Sequence, residues 1–159
     1  MFHFYYSGAP AGSLLIGPSA LIAKARRIRK ALGGGMRQVG ILASAGLIAI
    51  SDFERGILEA DHAKARMIAD SISGMKGFFV DFKSVHTNIL LIELDCSCVC
   101  KTLTPAAVVD MLKALDVWIL PFGPNNMRLV THRDITDAQV VEIIDAFQNI
   151  SSKITVGSS

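Results

Sequence analysis

The sequence predicts a mixed α/β and α+β chain, in which a piece of a larger α/β layer is followed by a connecting helix and a small α+β domain. Three observations carry that expectation. Short apolar runs bounded by turn residues alternate with helical periodicity through residues 76–150. An amphipathic stretch runs from about Ser51 to Gly74 ahead of them. Residues 1–50 hold one strand end and two helices, too little to close a sheet of their own.

Leu14-Leu15-Ile16 reads as a buried strand end, closed by Gly17-Pro18. Ser19 is placed to cap a basic helix that carries Lys24, Arg26, Arg27, Arg29 and Lys30 and stops at Gly33. Residues 39–50 are apolar on almost every side, and the small residues Gly40, Ala43, Ser44 and Gly46 permit close backbone approach, so this helix belongs at an interface or against another helix. From Ser51 onward Leu58, His62, Ala65, Ala69 and Ile72 recur at helical spacing until Gly74 and Gly77 end the pattern. His62 falls on the apolar side, where a hydrogen-bonded structural role is expected rather than a catalytic one.

Residues 78–82, 87–94, 117–120 and 127–130 read as strands, separated by turn-rich segments. Thr104 and Pro105 open a helix with Val108, Met111, Leu112 and Leu115 on its apolar stripe. Thr136 and Gln139 form a capping box for the last helix, Ile135 and Val140 a hydrophobic staple, and Val140, Ile143, Ile144 and Phe147 its core face. The Ser/Gly-rich end after Ser151 is expected to fray. These elements suit helices packed on one face of a mainly antiparallel sheet. The expected organisation is 1–50 as the large-domain remnant, 51–75 as the connecting helix, 76–150 as the small domain and 151–159 as a tail.

Hydrophobic residues make up 51% of the 159 positions and charged ones 19%, an apolar excess for a small chain that has proportionally more surface to keep polar. Such a chain is expected to be covered by something. No apolar run reaches the roughly 20 residues of a membrane span. A net charge of +2 is too mild to argue for nucleic acid, and the basic helix lacks interleaved aromatics for stacking bases. Cys96, Cys98 and Cys100 alternate, so in an extended segment they share one face. Without a fourth ligand or C-x2-C spacing they are not read as a zinc site. The odd cysteine count and the lack of a leader-like opening favour a reducing, cytoplasmic location.

Gly33-Gly34-Gly35-Met36-Arg37-Gln38 has a chemical use. Consecutive glycines let backbone N–H groups converge on an anion, and Arg37 adds a charge that pairs with phosphate or carboxylate. The plain alternative is a helix-ending turn followed by a surface arginine. The context is Ser7-Gly8-Ala9-Pro10-Ala11-Gly12-Ser13, Arg27-Ile28-Arg29-Lys30, the glycine run, the apolar helix, and far downstream Met127-Arg128-Leu129-Val130-Thr131-His132-Arg133-Asp134-Ile135. In these motifs, and in Asp61-His62 and Thr87-Asn88-Ile89, the chain resembles the pyridoxal-phosphate-dependent low-specificity threonine aldolases, from Gly8 to about Ile150.

The resemblance implies an aspartate-aminotransferase-like architecture (fold type I), pyridoxal phosphate as the complete enzyme's cofactor, and cleavage of threonine or related β-hydroxy amino acids to glycine and an aldehyde. It also implies an oligomer, or association with full-length subunits. Arg128 takes the position of an arginine that grips the substrate or cofactor-linked carboxylate, against the alternative of a strand arginine in a surface ion pair. Lys30 and Arg37 take positions near an active site at a subunit boundary. His132 fits a turn-stabilising role better than a general base or metal ligand. In the family a lysine carries the cofactor ahead of the Gly-Ala-Pro element, and in this sequence Tyr5 stands in its register. A phenol has no amine to offer.

The expectation is therefore a carboxy-terminal segment that begins in mid-motif behind an alternative start at residues 1–6, as in a truncated product, pseudogene-like transcript or incomplete gene model. It is expected to be catalytically incompetent alone, to have no catalytic residue of its own, and not to hold the cofactor stably. Two further readings stand beside it: a non-catalytic dimerisation module using residues 39–50, and a nucleic-acid binder using the basic helix.

Overall fold

A computed structural model describes residues 2–3, 9–95 and 103–156. Tyr5, Cys96, Cys98 and Cys100 lie outside the described residues. The chain divides into two compact units, Met1–Ile57 and Leu58–Ser159.

In the first unit β1 (Phe2–His3) pairs antiparallel with β2 (Ser13–Leu14). The buried run expected at Leu14-Leu15-Ile16 is not formed. Leu15 and Ile16 stand exposed, since a two-stranded ladder offers no layer for them to pack on. Helix α1 spans Ser19–Ala31. Its cap is Pro18 and not Ser19, so no side chain closes the first turn; proline pre-sets the entering φ but has no side-chain acceptor.

Helix α2 spans Gly40–Glu54 and ends at Gly56, whose φ of +74° is left-handed; the Arg55 N–H reaches the Ser51 carbonyl at 3.0 Å and that of Gly56 reaches Phe53 at 3.1 Å. The amphipathic pattern read from Ser51 thus starts a new helix only after Gly56. Helix α1 buries none of its residues, and α2 leaves Ile41, Leu47, Ile48 and Phe53 more than half exposed.

The second unit takes all of α3 (Ile57–Ser73) but its first residue and continues through β3 (Phe78–Phe79), β4 (Ile89–Leu94), α4 (Pro105–Lys113), β5 (Leu120–Phe122), β6 (Asn126–Val130) and α5 (Asp137–Val156). The strands form one sheet in the order β3-β4-β6-β5, every pair antiparallel. Strand alternation sends Leu90, Ile92 and Leu94 of β4, with Met127 and Leu129 of β6, into the core. Facing them are Ile68 and Ile72 of α3, Val108 and Leu112 of α4, and Val140, Phe147 and Ile150 of α5. Phe78 meets Phe147 edge to face, with ring centroids 5.2 Å apart. Each fully buried side chain of this size contributes roughly 1.5–3 kcal/mol.

Both expected caps form. Thr104 Oγ1 accepts the Ala107 N–H at 3.3 Å with Pro105 behind it. Gln139 Oε1 accepts the Thr136 N–H at 2.9 Å while Thr136 Oγ1 accepts the Gln139 N–H at 3.3 Å, the reciprocal pair of a capping box.

Other boundaries move. The first strand stops at Phe79, because Asp81 accepts the Lys83 N–H at 3.0 Å and caps a 3₁₀ turn over Phe82–Ser84. Residues 117–119 carry no ladder. The Val117 N–H is engaged by the Leu112 carbonyl at 3.0 Å, Asp116 turns with φ +61°, and pairing begins at Leu120. The end after Ser151 does not fray over residues 151–156: Ser151 Oγ donates to the Lys76 carbonyl at 2.8 Å, and buried Ile154 extends the apolar row from Ile150. His62 is half-buried and makes no hydrogen bond or ion pair among the described residues, contrary to the role expected of it.

Candidate functional site

Three of the motif segments meet at one point in the second unit. Strand β6 carries Arg128 and ends beside Thr131, which is buried. The Thr131 N–H donates to the Asn88 carbonyl at 2.9 Å, and Asn88 Nδ2 donates back to the Thr131 carbonyl at 2.7 Å. Thr131 Oγ1 donates to the Asp61 carbonyl at 2.7 Å, which ties the sheet to α3. Asp61 is itself buried and pairs with Lys64 Nζ at 3.4 Å. Buried polar groups are costly unless partnered, and here the hydrogen bonds fix the strand's end against two separate segments, Asn88 and α3. Sequence reasoning singled out Asp61, Asn88 and the segment after Arg128 separately and missed that they are partners.

Beyond this node the chain turns. The Asp134 N–H donates to His132 Nδ1 at 3.4 Å, and the Ile135 N–H reaches the His132 carbonyl at 2.9 Å, so His132 serves the turn. Its Nδ1 also lies 3.5 Å from Asp134 Oδ2.

Arg128 sits on the sheet face opposite the core. Register places it between Leu91 on β4 and Leu120 on β5, and the next row on the same face holds Phe79, Glu93, Asn126 and Phe122. Phe79, Leu91, Leu120 and Phe122 are exposed, whereas Arg128 is half-buried. No carboxylate among the described residues pairs with its guanidinium. The result is a planar, permanently charged donor fork flanked by leucines, a setting suited to a carboxylate brought from outside.

The glycine run of the first unit is arranged differently from the anion cradle its composition suggests. Gly33 takes φ +80°, its N–H donates to the Lys30 carbonyl at 3.2 Å, and the Gly34 N–H donates to the Arg29 carbonyl at 2.8 Å. These are the two bonds of a Schellman turn, so both amides serve the helix end. Helix carbonyls also converge there, and their partial negative charge opposes an anion. Side chains fold over the turn: a Cβ on Gly35 would stand 2.8 Å from Lys30 Cδ, and one on Gly34 3.0 Å from Arg29 Cγ. Lys30 and Arg37 are exposed and unpaired among the described residues. Among the described residues no group of His, Cys, Asp and Glu is placed to hold a metal, and no helix is long and apolar enough to cross a membrane.

Comparison with known proteins gives concordant findings. A family model described as beta-eliminating lyase matches residues 7–95. The chain is 33% identical over 141 residues to low-specificity L-threonine aldolase 1 of Arabidopsis thaliana, covering 89% of this chain and 38% of that protein. It is 35% identical over 136 residues to the low specificity L-threonine aldolase of Escherichia coli strain K12, covering 86% of this chain and 37% of that one. The chain thus spans about two fifths of the length of these curated relatives. Among solved structures, the ornithine aminotransferase of Toxoplasma gondii, described with partial occupancy of pyridoxal phosphate, aligns with TM-score 0.51 at 20% identity, over 70% of this chain and 27% of that one. This last likeness concerns the fold alone: the mixed α/β architecture of fold type I.

Proposed function

This chain belongs to the beta-eliminating lyase family, and on that premise we propose that it is the carboxylate-gripping part of a threonine-aldolase-like enzyme, unable to cleave an amino acid by itself. In this reading the complete enzyme splits threonine or a related β-hydroxy amino acid into glycine and an aldehyde. Pyridoxal phosphate supplies the electron sink for that cleavage. The observation that carries the assignment is Arg128, half-buried between Leu91 and Leu120 without a carboxylate partner among the described residues. Its fork receives the substrate's carboxylate through two parallel, charge-assisted hydrogen bonds.

The residues present do not make a full site for the cofactor. Tyr5 stands in the lysine register, and the Gly33 and Gly34 amides are engaged by helix carbonyls. Lys30 and Arg37 act in this reading at a subunit boundary, where another chain completes the pocket. Residues 1–50 then correspond to large-domain material, 51–75 to the connecting helix and 76–150 to the small domain. Purified chain mixed with pyridoxal phosphate and threonine is expected to give no new cofactor absorbance band and no glycine. Either signal overturns the incompetence of the isolated chain.

The exposed apolar side of α2, with Ile41, Leu47 and Ile48, favours a second reading as a non-catalytic module that dimerises or joins full-length subunits. Its apolar area suits association better than solvent. Size-exclusion chromatography with light scattering tests it, and a folded, monodisperse monomer overturns it.

A further inference from the structure

The two units differ in charge. Residues 1–57 hold seven lysines and arginines against two carboxylates, and no aspartate or glutamate precedes Asp52, whereas residues 58–159 hold nine basic residues against twelve acidic ones. Five of the seven cations, Lys24, Arg26, Arg27, Arg29 and Lys30, lie on α1, all exposed and none paired among the described residues. A field of one sign along a single helix attracts an anionic partner.

The apolar residues of α1 narrow the choice of that partner. Ile22 and Ala25 are half-buried and line a groove with Leu14 and Leu15 inside the unit. Leu21, Ile28 and Leu32 are left on another side, at spacings of seven and four residues that set them in one row along the helix, and they stand 49%, 50% and 82% exposed. Lys24 and Arg29 flank the row, with stems long enough to lie along it and carry their charges further out. A nucleic-acid backbone satisfies such cations but leaves the row in water, and α1 has no aromatic side chain on which bases could stack. An anionic lipid surface meets both demands, with an acyl boundary for the row and headgroup charges for the cations.

We propose that α1 is a docking surface for an anionic lipid bilayer. The helix lies in the plane of the interface, with Leu21, Ile28 and Leu32 at the boundary between headgroups and acyl chains and Lys24 and Arg29 against the headgroup anions. Arg26, Arg27 and Lys30 occupy the remaining arc of the helix and act through the surface potential. The attachment is peripheral, because the 13 residues of α1 are too few to cross a bilayer. It is also independent of Arg128, which belongs to the other unit.

The full chain is tested by flotation with vesicles of phosphatidylcholine and phosphatidylserine in equal parts, and with vesicles of phosphatidylcholine alone. It is expected to float with the mixed vesicles only, and less so as salt is raised. Arg27→Gln lowers partitioning roughly five-fold. Ile28→Gln keeps every charge and lowers it roughly ten-fold, the effect that a purely electrostatic surface does not produce. Both positions are exposed, and circular dichroism checks that helix content is unchanged in each variant. Equal flotation with phosphatidylcholine alone, no flotation with either vesicle, or full retention in Ile28→Gln overturns the proposal. So does a short DNA duplex that strips the chain from the mixed vesicles and binds Ile28→Gln as tightly as the unchanged chain, which assigns the helix to nucleic acid.

Discussion

The hydroxyl of Thr131 donates a 2.7 Å hydrogen bond to the backbone carbonyl of Asp61, a residue seventy positions earlier in the chain. With the reciprocal bonds between Thr131 and Asn88, this contact joins α3, the start of β4 and the end of β6 just beyond Arg128. The placement of Arg128 on the sheet is thereby tied to α3 through Thr131, three positions further along the chain.

Thr131→Val keeps the side chain's shape and removes the hydroxyl, leaving the Asp61 carbonyl without that donor in a buried setting. The expected loss is about 1–2 kcal/mol of unfolding free energy in a denaturant titration, with Thr131→Ser losing less. Equal stability of Thr131→Val and the unchanged chain contradicts a structural role for the bond.

The Phe78–Phe147 pair belongs to the second unit's core, and Phe147 is fully buried. Phe147→Ala deletes a ring that its surroundings cannot fill and is expected to cost about 3–5 kcal/mol by the same measurement. A cost under about 1 kcal/mol means that the core collapses around the gap or does not pack as described.

Arg128→Met is expected to change stability by no more than about 0.5 kcal/mol, because no ion pair among the described residues is lost and the apolar flanks remain. A large loss assigns Arg128 to holding the fold together and removes the main support for its binding role.

Ser151→Ala removes the hydroxyl that reaches the Lys76 carbonyl, at an expected cost of about 1 kcal/mol. Amide hydrogen exchange over residues 151–156 is expected to accelerate more than exchange near Val140. Uniform acceleration points to global unfolding in place of a local anchor.

Ile48→Glu places a charge on the exposed side of α2, and sedimentation is expected to show less self-association than for the unchanged chain. The same distribution in both chains removes α2 from any interface.

Much of the second unit was legible before its structure. The capping box at Thr136 and Gln139 and the Thr104–Pro105 start require only residues within one helical turn, so adjacent sequence carries all the information. The alternation of Leu90, Ile92 and Leu94 likewise identifies a core-facing strand from its own period. The motifs gave the family, but not what the glycine run does. Its two amides close α1, a use that depends on where the helix carbonyls stop.

By itself, then, the sequence determined the caps at Thr104 and Thr136, the core-facing alternation of Leu90, Ile92 and Leu94, the family and the tyrosine in the lysine register, because these are local patterns or residue identities. Only the tertiary structure decided that Thr131 is the meeting point of three motifs, that residues 151–156 remain helical, and that Arg128 stands beside Leu91. Each of these outcomes depends on a hydrogen bond or packing contact between residues far apart in the chain, and such partners are chosen by the assembled fold, not by local propensity.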